Sequence, residues 1–118
     1  MKQSHLNHER RKMPRVHADR ELRVALVAPP MELTLIELGL GGFSVRSPKA
    51  LPPETTQMFR FEGVDGSVAQ LTVLIRRCDG ARGPGYVIGC EFANPTHPAV
   101  GRAVGRLMDQ ITAALSFS

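Results

Sequence analysis

Leu22-Arg23-Val24-Ala25-Leu26, then Val27-Ala28-Pro29-Pro30, then Met31-Glu32-Leu33-Thr34-Leu35-Ile36-Glu37-Leu38 is the stretch that decides the fold. From Arg20 the pattern has a period of two, with Leu22, Val24 and Leu26 alternating with Glu21, Arg23 and Ala25. A strand places successive side chains on opposite faces, so this run is half-buried β-structure. Proline has no amide to give a ladder, and Ala28-Pro29-Pro30 therefore ends the first strand. The second run sets Leu33 and Leu35 on one face and Glu32, Thr34 and Ile36 on the other. Two such runs around a break predict an antiparallel hairpin.

Downstream, Glu37-Leu38-Gly39-Leu40-Gly41-Gly42-Phe43 holds three glycines in four positions. Glycine there implies positive φ or close approach of backbone. A dinucleotide fingerprint would need glycine at Ser44 and a helix to follow, and a phosphate loop would end in Gly-Lys-Ser/Thr. The stretch instead reads as a tight turn into a strand over 43–47. A proline-rich connection follows, then strands over 56–61, 68–78 and 86–92 with turns at 62–66 and 79–85. Turn signals at this spacing belong to a small barrel or sandwich. Beyond Asn94-Pro95-Thr96-His97-Pro98, Val100, Val104, Leu107, Met108, Ile111 and Leu115 recur at helical spacing. They predict a terminal helix with Asn94 or Thr96 as its cap and an apolar stripe for the core or, as the alternative, for the seam with a second subunit.

The length, 118 residues, suits one domain that buries its own core, here 20–118. No apolar run reaches the ~20 residues of a membrane span, and the N-terminus lacks the apolar core of a signal peptide. A cytoplasmic protein with Cys78 and Cys90 as reduced thiols is expected. Tryptophan is absent and aromatics are 5% of the chain, which weighs against a surface for stacking single-stranded bases.

The charge is concentrated at one end. Residues 1–23 carry seven cations (Lys2, Arg10, Arg11, Lys12, Arg15, Arg20, Arg23) against three acids (Glu9, Asp19, Glu21), an excess equal to the whole chain's +4. Residues 1–19 read as a flexible basic arm on a neutral body. Within the arm, Pro14 disfavours a helix through Arg11 and Arg15, so the two side chains converge by loop geometry. Arginine grips phosphate bidentately, bonds the O6/N7 edge of guanine or stacks on a base.

No Ser-His-Asp order or Cys-His pairing stands out and the carboxylates are scattered, so no enzyme and no catalytic residues are expected. His5 and His8 have a single carboxylate, Glu9, and no cysteine beside them, a poor ligand set, and no metal site is expected. Non-specific nucleic-acid binding rests on the arm's charge alone. The arm and the glycine-rich turn, separated by a hairpin, together suit a compact anion bearing phosphates and purines.

Arg11-Lys12-Met13-Pro14-Arg15 fits RxxxR, and Glu37-Leu38-Gly39-Leu40-Gly41-Gly42 stands in the place of (D/N)xSxxG. In these motifs, and in the order of its elements, nearly the whole chain resembles PilZ domains. The resemblance implies a six-stranded antiparallel β-barrel of split-barrel type with a C-terminal α-helix, and a bacterial receptor for the second messenger cyclic di-GMP. It assigns phosphate and the guanine Hoogsteen edge to Arg11 and Arg15, with Arg10 as an accessory. It places Glu37 at a guanine edge, Gly39 near the phosphate and Gly42 in the turn. Glu37 stands where the family has Asp or Asn and keeps the acceptor pair for guanine N1 and N2 hydrogens, one methylene further out. Gly39 stands where the family has Ser, and one lost hydroxyl bond is worth about 1 kcal/mol. Two functions follow as expectations: a cyclic di-GMP-binding adaptor whose arm folds over the nucleotide and alters a surface read by a protein effector, or a protein-interaction module that has lost the nucleotide. A monomer or weak homodimer is expected for either.

Overall fold

The computed structural model describes residues 15–17, 22–63, 65–80 and 83–116, with the backbone alone for 15–17 and 113–116. Its elements are β1 (Arg15–His17), β2 (Leu22–Leu26), β3 (Met31–Gly39), β4 (Gly42–Ser47), β5 (Thr56–Gly63), β6 (Val68–Gly80), β7 (Tyr86–Phe92) and α1 (Pro98–Ser116). The strands read from the sequence are β2 to β7, each antiparallel to its neighbours. They close into a ring in the order β3-β2-β5-β6-β7-β4, with β4 returning to β3. The fold is thus the expected six-stranded antiparallel barrel with one C-terminal helix.

β1 lies inside the segment read as the arm, where no strand was expected. It extends the sheet by pairing with the end of β3: Arg15 opposite Gly39, Val16 opposite Leu38, His17 opposite Glu37. One edge of β3 therefore carries β2 at its start and β1 at its end, and the other edge carries β4. The rest of the arm, with Arg10 and Arg11, lies outside the described residues.

Inward positions of the alternation make the core. Phe43 sits among three other phenylalanines, edge-on to Phe59 at 5.3 Å and Phe61 at 5.1 Å and tilted against Phe92 at 5.4 Å. Such pairs add about 0.5–1.5 kcal/mol each beyond the burial of their area. Val104, Leu107 and Ile111, recurring every three or four residues on α1, complete this core and are nearly inaccessible to solvent.

The helix is capped by His97, not by Asn94 or Thr96. The Ala99 amide donates to His97 Nδ1 at 3.1 Å, and Pro98 takes the first helical position, where a missing amide costs nothing. Further along, Gln110 Nε2 donates to Ser67 Oγ at 3.0 Å, and Ser67 Oγ donates to Asp65 Oδ1 at 2.7 Å. These bonds tie the helix to the β5–β6 turn. The Ser67 hydroxyl and amide hold the Asp65 carboxyl below the usual carboxylate range.

Two register shifts interrupt the ladders, between Leu35 and Glu37 in β3 and between Ile75 and Arg77 in β6. A bulge adds one residue to a strand and re-aims its neighbours. Both bulges open on the same outer face of the barrel.

Candidate ligand-binding groove

The two bulges flank an open groove of about 460 Å³ on the outside of the barrel. Ile36 and Glu37 line it from β3, Ser44 from β4, Gly89 and Glu91 from β7, and Arg76 and Arg77 from β6. The volume falls within the range of small-molecule sites, roughly 300–1,000 Å³. Register explains the lining. Glu37 stands opposite Ser44, Ser44 opposite Gly89 and Gly89 opposite Arg77, so these residues make one row across four strands. Ser44, Gly89 and Arg77 belong to the outward set, alternating with buried Phe43, Val45, Ile88 and Cys90.

The cationic wall is held loosely. Arg77 Nε lies 3.3 Å from Asp79 Oδ2, and Arg76 reaches Glu91 at 3.5 Å and Glu54 at 3.7 Å. All of these side chains are about half exposed or more, and surface pairs of this kind are worth about 0–1 kcal/mol. Both guanidiniums can therefore exchange a carboxylate for a phosphate at small cost. Gly89 keeps the floor low: a Cβ there would stand 3.5 Å from Arg77 Cβ, in ordinary contact, and would raise the surface between Ser44 and Arg77.

The sequence-derived residues fall as follows. Arg15 opens β1, and its backbone faces Gly39. Glu37 is half-buried in the groove, two residues before Gly39 at the end of β3. Gly42 opens β4 opposite Glu91. Its glycine is required by close approach and not by a left-handed turn: a Cβ would run into the Cys90 carbonyl oxygen, with Glu91 Cα 3.2 Å away. Among the described glycines, positive φ belongs to Gly66 and Gly85. Sequence reasoning missed Ser44, Gly89, Arg76 and Arg77. The adjacent pair Arg76-Arg77, breaking the alternation of β6, was the available signal.

Among the described residues no cluster of three or more His, Cys, Asp or Glu is arranged to hold a metal ion, and no helix is long and apolar enough to cross a membrane. The PilZ domain family model matches residues 9–110. The chain belongs to the PilZ domain family. Its fold is similar to that of the PilZ domain of YcgR from Escherichia coli, solved with c-di-GMP, with a TM-score of 0.70 and 17% identity over 90% of this chain and 94% of that one. The same is true of YcgR in complex with c-di-GMP (TM-score 0.71, 17% identity, 91% of this chain) and of the Bacillus subtilis inhibitor of motility MotI/DgrA (0.67, 15%, 91%). The chain spans about half the length of these last two, 48% and 52%. No curated protein matches it.

Proposed function

We propose that the chain is a cyclic di-GMP-binding adaptor acting in the cytoplasm. In this reading Arg11 and Arg15 hold phosphate and a guanine Hoogsteen edge, with Arg10 as accessory, and Glu37 accepts from guanine N1 and N2. The arm of 1–19 folds over the nucleotide, and the altered surface is read by a protein effector. The observation that supports the reading is the backbone pairing of Arg15, the last residue of the first motif, with Gly39 of the second, two residues from groove-lining Glu37. Family membership supports it, as does the fold likeness to a PilZ domain solved with c-di-GMP. Arg76 and Arg77 supply positive charge on the opposite wall, where a second phosphate would gain two or more charge-assisted bonds.

A second reading, a protein-interaction module without the nucleotide, is favoured by Glu37 and Gly39, the two departures from the second motif. Isothermal titration calorimetry with cyclic di-GMP, and GMP as the control, separates the two. Saturable binding at micromolar concentration or tighter supports the receptor. The absence of heat and of a thermal shift at high ligand concentration supports the interaction module.

A further inference from the structure

We infer that Ser44 is a guanine-reading residue, donating its hydroxyl hydrogen to O6 of the base whose N1 and N2 hydrogens Glu37 accepts. The inference deepens the cyclic di-GMP reading and rests on it. Three observations lead to it. First, Ser44 stands directly opposite Glu37 in the β3–β4 ladder, and both line the groove. Directly opposed side chains leave the sheet about 4.5–5.5 Å apart at Cβ, a separation that suits two groups serving one edge of one base.

Second, the hydroxyl is uncommitted. Ser47, also on β4, is buried and spends its Oγ on the Lys49 carbonyl at 2.6 Å and the Lys49 amide at 3.2 Å. Ser67 spends its own on Asp65 and Gln110. Among the described residues the Ser44 hydroxyl has no such partner, although the residue is half-buried in the groove.

Third, the chemistry is complementary. The edge of guanine that shows two donors, N1–H and N2–H, also shows one acceptor, O6. A carboxylate meets the donors and a hydroxyl beside it meets the acceptor. Adenine presents a donor at the position of O6 and an acceptor at N1, so it would meet Glu37 with its lone pair. Gly39 cannot serve this purpose, having no side chain, and position 44 lies on the neighbouring strand diagonally across the sheet from it. Ser44 is thus a contact at a different atom, not a copy of the hydroxyl that the second motif lacks.

The test is calorimetry of the full chain and its Ser44→Ala and Ser44→Thr variants with cyclic di-GMP and cyclic di-AMP, with thermal unfolding as a check on the fold. Ser44→Ala is expected to weaken cyclic di-GMP about five- to tenfold while leaving cyclic di-AMP binding unchanged, and Ser44→Thr to retain most of the affinity. Unchanged cyclic di-GMP binding by Ser44→Ala would overturn the inference and leave the receptor reading standing, as would equal losses for the two nucleotides. A wild-type chain that binds neither nucleotide would overturn both.

Discussion

Arg15 faces Gly39 across the short β1–β3 ladder, so the last residue of the arginine motif and the altered position of the glycine-rich motif are neighbours in the sheet. The ladder is made by backbone groups and asks nothing of the arginine side chain. Arg15→Ala, and likewise Arg11→Ala, is therefore expected to abolish cyclic di-GMP binding with a change in the free protein's melting temperature of less than about 2 °C. Calorimetry and thermal unfolding of the same samples check it. A large loss of stability in both variants would make the arginines structural.

The same neighbourhood predicts the effect of repairing the second motif. Glu37→Asp with Gly39→Ser returns the shorter carboxylate and the missing hydroxyl. The double variant is expected to bind cyclic di-GMP at least about fivefold tighter than the natural chain, the worth of one hydrogen bond. Titration of the two proteins side by side measures it, and equal affinities would show that these positions do not limit binding.

Gly42 and Gly41 are adjacent, yet their substitutions should behave oppositely. A Cβ at Gly42 runs into the Cys90 carbonyl of β7, whereas one at Gly41 meets nothing within 4 Å. Gly42→Ala is expected to cost about 1–3 kcal/mol, enough to lower the melting temperature by several degrees, and Gly41→Ala to stay within about 0.5 kcal/mol. Denaturant unfolding of both variants tests the contrast.

Phe43 touches three other phenylalanine rings and is almost wholly removed from solvent. Phe43→Ala should cost about 3–5 kcal/mol through lost contacts and a cavity at the barrel centre. Urea unfolding would read this as a lower midpoint at constant slope. A loss under about 1 kcal/mol would mean that the surrounding side chains collapse into the space.

Burial pushes the Cys90 thiol up from 9.0 to about 12. A group whose folded pKa is raised contributes stability that is complete below the unfolded value and is lost as pH rises through the folded one. The melting-temperature advantage of the natural chain over Cys90→Ala is therefore expected to hold up to about pH 9 and to shrink between pH 9 and 12. At neutral pH a thiol reagent should label half-buried Cys78 well before Cys90.

Much of the barrel was legible because its strands are wet on one face. Alternation marked β2 and β3 almost residue by residue, turn signals bounded β7, and the spacing of Val104, Leu107 and Ile111 marked the helix. β1 was not legible: Arg15-Val16-His17 is too short to show a period, and what makes it a strand is a partner, Gly39, that only the folded chain brings near. The groove was half legible. Glu37 could be found from a motif on its own strand, but Ser44, Gly89 and Arg77 are joined to it by register between strands distant in sequence. Gly42 was marked by composition, while its reason, the Cys90 carbonyl, again lies on another strand.

Ring closure also governs how a second chain can approach. Among the described residues every strand from β2 to β7 has hydrogen-bonded neighbours on two sides, and the strand with a single neighbour is β1. A protein that docked by lending a strand would find its opening, among the described residues, alongside Arg15–His17. Strand addition at that edge and the proposed capture of nucleotide by the arm would both draw on Arg15, so the two events would compete.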